Sequence, residues 1–309
     1  MGKILSVLEV IAPIIVAVFL GVFARKKKMI TSDENRGLQQ FVMKYGLPCV
    51  LFNSCLDATV GAESLTSMAL LLPMLLCSVF LGFYLRKKKF ALHNLPQLFA
   101  AKETGMLGIS LLVVLFGAEN AYRMGVLDMT QTLTSIPVIS ILAVDAGDNP
   151  KPSAIVGKVF KSPLLLMSLA GLVLNLTGVR DWMYGLGVGQ VLTAVTGFIA
   201  QPVSAAMMFS VGYSFCIDRN NRKTIFQISA IHLTMFLVAV AVIQAGLFLV
   251  PNVEPETRWA ALLYCMLPGS YLAPGLGRKE EERTIASGVC SVLTVVCLVV
   301  FCIMAVLTA

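Results

Sequence analysis

Charge is what this sequence has least of. Only 13% of its 309 residues are Asp, Glu, Lys or Arg, while 57% are hydrophobic and the mean hydropathy is +0.84. A typical soluble domain carries roughly 25% charged residues. So little charge cannot cover a soluble globule of this size. Soluble enzymes, nucleic-acid binders and secreted disulfide scaffolds are thereby excluded. No CxxC pair occurs among Cys49, Cys55, Cys77, Cys216, Cys265, Cys290, Cys297 and Cys302, which all lie in or at the ends of apolar segments. They read as small hydrophobic residues rather than disulfides or metal ligands. The GxxxxGK[ST] and HExxH patterns are absent, and no pair of membrane carboxylates sits at helical spacing. Neither an ATP motor nor an intramembrane enzyme is expected, and no cofactor. The first apolar run, 4–24, lacks a basic lead beyond Lys3 and ends in Arg25-Lys26-Lys27-Lys28. It reads as a first transmembrane helix with a cytoplasmic stop rather than a signal peptide.

What is present is a series of apolar runs. Ten spans are predicted at 4–24, 38–56, 65–85, 95–116, 124–144, 159–179, 190–217, 224–250, 258–277 and 284–308. Each is long enough to cross a ~30 Å hydrocarbon core. The net charge of +7 is distributed one-sidedly. Arg25, Lys26, Lys27, Lys28 and Arg36 follow span 1, and Arg86, Lys87, Lys88 and Lys89 follow span 3. Lys151, Lys158 and Lys161 follow span 5, Arg219, Arg222 and Lys223 follow span 7, and Arg278, Lys279 and Arg283 follow span 9. The other face holds only Lys3, Arg123, Arg180 and Arg258, and Lys44 and Lys102 fall within spans. The positive-inside rule then puts both termini outside, in a multi-pass protein of the plasma membrane. The expected fold class is an all-α integral membrane protein whose first partner is the lipid bilayer.

The longest inside connection, 145–158, contains Gly147-Asp148-Asn149-Pro150-Lys151-Pro152 and divides the chain into 1–144 and 159–309, five spans each. Five is odd, so any likeness between the halves is an inverted repeat. Interruptions recur at matching places. Span 2 carries Gly46-Leu47-Pro48 and span 7 carries Gln201-Pro202. Span 4 carries Gly105, Gly108 and Gly117, and span 9 carries Pro268-Gly269 and Pro274-Gly275. Paired interruptions of this kind point to the binding site of a transporter.

These residues resemble the auxin efflux carrier family, which includes plant auxin carriers and bacterial organic-acid permeases. The resemblance runs through Gly21-Val22-Phe23-Ala24-Arg25-Lys26, the 41–52 core with Gly46-Leu47-Pro48, and Thr104-Gly105-Met106-Leu107-Gly108 followed by Leu115-Phe116-Gly117-Ala118-Glu119. It continues through Lys161-Ser162-Pro163, Ala170-Gly171-Leu172-Val173-Leu174 and Met266-Leu267-Pro268. The resemblance implies ten helices in two inverted repeats, with broken helices 4 and 9 crossing at mid-membrane. It also implies an elevator-type motion and a homodimer. Spans 1, 2, 6 and 7 would be the scaffold and spans 3–5 and 8–10 the moving unit. Two positions depart from the family pattern: Glu103 stands where the family has Asn, and Ser110 where it has Pro.

The expected function is secondary transport of a small organic anion by alternating access, with proton or sodium as the coupling ion. A channel or ligand sensor on the same fold is the alternative. Half-helix N-termini at the crossing would attract a carboxylate. The expected substrate site comprises Glu103, Thr104, Gly105, Gly108, Ser110, Asn53, Pro268, Gly269 and Ser270. Glu103, Lys102 and Asp128 are the ion-coupling candidates, because an ionisable residue within a span is costly to insert. Glu103 either responds to an ion or proton or pairs with Lys102, and a direct pair requires the backbone to leave the helix there. Asn53 either faces the cavity or bonds a neighbouring helix. Asp128 and Gln131 lie one turn apart near the outer part of span 5. Lys44 is expected to snorkel, and His232 to pack in an apolar helix. Thr31-Ser32-Asp33-Glu34 has the form of a capping box leading into span 2, and the basic clusters favour anionic lipid.

Overall fold

The computed structural model describes residues 2–58, 61–145, 163–215 and 220–308. The linker expected at 145–158 lies outside them after its first residue, as do Lys151, Lys158, Lys161 and Arg219. The described residues are helical and include no strand, only one isolated bridge between Lys102 and Gly269. The helices are α1 (Gly2–Lys26), α2 (Ser32–Phe41), α3 (Leu47–Leu56), α4 (Ala62–Leu85), α5 (Leu95–Ala100), α6 (Ile109–Phe116) and α7 (Ala121–Asp145). After the linker come α8 (Pro163–Leu176), α9 (Val179–Gly185), α10 (Val188–Ala200), α11 (Val203–Ser214), α12 (Arg222–Phe248), α13 (Pro255–Met266) and α14 (Glu280–Thr308).

Among the described residues, four helices are each long and apolar enough to cross a membrane: Ala62–Phe90, Val188–Ser214, Arg222–Phe248 and Glu280–Thr308. A fifth results if α8 and α9, bent by 81°, count as one span. Spans 1 and 5 fall on the unbroken helices α1 and α7. Spans 2, 4 and 9 are helical but interrupted, and the interruptions have local causes. A π turn at Val42–Gly46 separates α2 from α3, with Pro48 in the first turn of α3, where a missing N–H costs nothing. Leu267 is extended at φ −60°, ψ 147°, as expected for a residue before proline, and this ends α13. The capping box at Thr31 is present: Thr31 Oγ1 accepts from Glu34 N at 3.2 Å, and Thr31 N donates to Glu34 Oε2 at 2.6 Å.

Helices pack in reciprocal pairs. α1 packs on α11, and α8 on α3. Both contacts rest on glycine. A methyl group on Gly212 would fall 1.9 Å from Val18 O, and one on Gly171 2.5 Å from Phe52 O, so the backbones touch without a side chain between them. On the other side, α4 packs on α5 and α7, and α12 on α13 and α14. The main apolar core runs between the two groups, with Leu47, Leu51, Leu71, Leu107, Phe236, Tyr264 and Phe301 at its centre.

Candidate functional site: the crossing of two unwound segments

The site is built where two helices lose their regular structure at the same level. Between α5 and the π turn Thr104–Gly108, Ala101 is extended at φ −146°, ψ 149°, and Glu103 lies at φ −83°, ψ 66°. Residues 267–270 form the corresponding break after α13. The two stretches run antiparallel and bond to each other. Glu103 N donates to Pro268 O at 3.0 Å, and Ser270 N donates to Ala101 O at 3.0 Å. Buried backbone groups freed from a helix need partners in an apolar setting, and each segment supplies them to the other.

Successive side chains on an extended stretch leave on opposite faces. Lys102 and Glu103 therefore take separate partners, although the backbone leaves the helix as a direct pair would require. Glu103 Oε2 accepts from Tyr271 N at 2.7 Å, and its Oε1 accepts from Met106 N at 3.3 Å. Its carboxylate thus occupies the anion position at the start of the 104–116 helix. Only one such helix start is present at the crossing, because the second segment continues into the short 3₁₀ turn Ala273–Leu276. The Lys102 ammonium, 2% exposed, lies 2.5 Å from His232 Nε2, 2.9 Å from Leu267 O and 3.4 Å from Cys265 O. It also sits 3.3 Å from the centroid of the Phe236 ring.

A cavity of about 390 Å³ opens beside the crossing, lined by Arg36, Gln39, Lys44, Glu103, Thr104 and Asp128, among others. The Thr104 hydroxyl donates to Asp128 Oδ1, and Gln131 Nε2 donates to both Thr104 Oγ1 (3.0 Å) and Asp128 Oδ1 (2.7 Å). Gly105 and Ser270 also line the cavity, and Lys102 borders it. Pro268 and Gly269 belong to the crossing itself, through Pro268 O and the Lys102–Gly269 bridge.

Besides Pro268 and Gly269, three of the expected site residues do not line this cavity. Asn53 Oδ1 accepts from Thr196 Oγ1 at 2.6 Å, an interhelical bond between α3 and α10. Gly108 is a packing position, where a methyl group would fall 2.7 Å from Leu267 Cδ1. Ser110 is buried, and its Oγ has no hydrogen-bond partner. Lys44 is exposed beside the cavity. The sequence pointed to packing rather than a proton relay for His232 and gave no role to Tyr264 or the backbone of Tyr271. For His232 the available signal was that it is the lone His of an apolar helix in a chain with a lysine inside a span to satisfy.

These features define a helical membrane protein with a broken-helix crossing beside a polar cavity. The chain matches the membrane transport protein family over residues 6–306, and it belongs to that family, the auxin efflux carrier family. It is therefore a membrane transporter. A search of curated proteins finds no match for the chain.

Proposed function

We propose that the chain is a secondary carrier of a small organic anion, working by alternating access with an elevator-type displacement. The observation that carries this reading is the position of the cavity. On one side stand Gln39, Met43, Lys44 and Leu164, from the segments expected to be scaffold. On the other stand Glu103, Thr104, Asp128, Ser270 and Tyr271, from the segments expected to move. A site at the boundary of two bodies is exposed to either side when one slides past the other. The volume suits a small acid. Arg36 and Lys44 supply positive charge for a carboxylate, since the helix start at Met106 already holds Glu103.

The reciprocal packing of α1 on α11 and α8 on α3 supports an inverted repeat of ten spans. So does the coincidence of the crossing with spans 4 and 9. Arg36 and Gln39 also line a second depression of about 490 Å³ with Arg25 and Arg283. That shared lining supports an inward-facing arrangement, with the termini outside. A homodimer through the scaffold completes the reading. Exposed Val191, Val195 and Phe198 on α10 supply an apolar surface for a second copy or for lipid.

The test is reconstitution of the full chain in liposomes. Saturable uptake of a labelled carboxylate, with counterflow by excess unlabelled substrate, is the expected result. Linear, non-saturating flux far above carrier rates would count for a channel instead.

A further inference from the structure

The ends of the broken helices at the crossing are neutralised in different ways. At the end of α5, hydroxyl groups take up the terminal carbonyls: Ser78 Oγ donates to Phe99 O at 2.5 Å, and Thr134 Oγ1 donates to Ala100 O at 3.1 Å. At the end of α13, the terminal carbonyls of Cys265 and Leu267 face a side-chain ammonium, that of Lys102. Helix C-termini carry partial negative charge and attract cations. In carriers with broken helices, unwound carbonyls and half-helix ends of this kind coordinate the driving sodium ion.

An ammonium has three N–H bonds and no acceptor. Here all three directions are taken, by His232 Nε2, Leu267 O and Cys265 O, and the ring of Phe236 closes a further side. His232 can accept at Nε2 only with its proton on Nδ1. That Nδ1 has no hydrogen-bond partner, and the imidazole packs against the rings of Phe99 and Phe236, whose centroids lie 5.1 and 4.8 Å from its own. The histidine is thus held as an acceptor for the lysine and for nothing else.

We propose that the Lys102 ammonium is the built-in cation of this crossing, filling the carbonyl cage at the end of α13 so that the carrier works without a sodium ion. Its neighbour Glu103 fills the anion position on the opposite face. The crossing therefore brings both of its counter-ions on one dipeptide. The transport half of the proposal rests on the carrier reading above. The cage half does not.

The experiment is a thermal unfolding series on the purified full chain in detergent, in sodium, lithium and choline chloride at matched ionic strength. The wild-type midpoint is expected to be the same in all three. Lys102→Ala empties the cage. Its midpoint in choline should fall by ~4 °C or more and should recover when sodium or methylammonium is added. A wild-type midpoint raised by sodium over choline would overturn the proposal, as would a Lys102→Ala loss that no cation reverses. If Lys102→Ala does not fold, Lys102→Met keeps the stem against Phe236 and is read in the same series. In liposomes, wild-type uptake should be unchanged when choline replaces sodium, and a tenfold or greater loss sinks the proposal. Absence of uptake in both salts speaks against the carrier reading and leaves the thermal result standing.

Discussion

Gln131 pairs with both main-chain groups of Lys102. Its Oε1 accepts from Lys102 N at 2.8 Å, and its Nε2 donates to Lys102 O at 3.1 Å. One side-chain amide thus supplies what a neighbouring strand would supply in a sheet. Tyr264 holds that amide in place, its hydroxyl donating to Gln131 Oε1 at 2.8 Å. Replacing Gln131 with Leu leaves a buried N–H and C=O of Lys102 unpaired, at a cost of about 2–3 kcal/mol. The unfolding midpoint of Gln131→Leu in detergent should fall clearly below that of Tyr264→Phe, which removes only the outer hydroxyl. Equal midpoints would mean that the amide does not hold the crossing.

Glu103 accepts from two separate backbone donors with its two oxygens. Gln at this position keeps one acceptor and turns an NH₂ toward the other donor, leaving Met106 N or Tyr271 N unsatisfied. Glu103→Gln is therefore expected to lower initial uptake at least tenfold while the protein still assembles. Size-exclusion behaviour and liposome uptake of the same preparation decide this. A wild-type rate would remove Glu103 from the transport step.

Arg123 ties three helices together at the end away from the basic loops. It is 2.8 Å from Glu63 Oε1 on α4, and it bonds Thr257 on α13 and Glu254 just before it. Its side chain is 5% exposed and that of Glu63 11%, so this is a buried pair whose halves depend on each other. Arg123→Met should cost about 3 kcal/mol by leaving Glu63 charged without its partner. Adding Glu63→Gln to that variant should restore part of the loss. A double mutant no more stable than the single one would show that the pair is not coupled. The Glu254 contact, half in solvent, should contribute little.

His93, in the turn before α5, should make stability fall in acid. Its Nδ1 faces Arg86 Nη2 at 3.2 Å, and its Nε2 faces Leu142 O at 3.0 Å. Arginine only donates, so Nδ1 is the lone-pair nitrogen and Nε2 carries the proton. Burial, followed by the charges of Arg278 and Arg86, holds the imidazole below its ordinary value of 6.5. The unfolded chain then takes up a proton that the folded chain refuses, so stability is complete above about 6.5 and is lost as the pH falls below it. The midpoint of wild type should drop between neutral and mildly acidic buffer more than that of His93→Gln. Parallel curves would show that this imidazole does not report on folding.

The helices were legible because apolar runs and the proline and glycine interruptions are local signals. Span 9 was expected to break at Pro268-Gly269, and it does, because proline constrains the residue just before it, Leu267. The basic clusters mark helix ends: Arg25 and Lys26 close α1, and Arg222 and Lys223 open α12. The partners at the crossing were not legible. Lys102 and Glu103 were marked as a unit, and Asp128 with Gln131 as another. What joins them is the pairing of Lys102 with Gln131 and His232, 29 and 130 residues away. An extended stretch of three residues decides which face each side chain takes, and no periodic pattern encodes so short a stretch. Asn53 was read as a cavity residue or an interhelical bond, and its Oδ1 accepts from Thr196 on α10.

The contact between α1 and α11 has a mechanical consequence. Gly21 and Gly212 let the two backbones meet, and Arg25 Nη1 then fastens to Tyr213 O and Phe215 O at 3.3 and 2.7 Å. At these two contacts no side chain lies between the backbones, so a rotamer change cannot relieve them and the two helices are expected to move together. The Val188–Ser214 helix is interrupted for one turn at Gln201–Pro202, just before α11. Any flexing at that break swings a rigid two-helix plate rather than a single rod, with the Gly212 weld and the Arg25 clasp setting its stiffness.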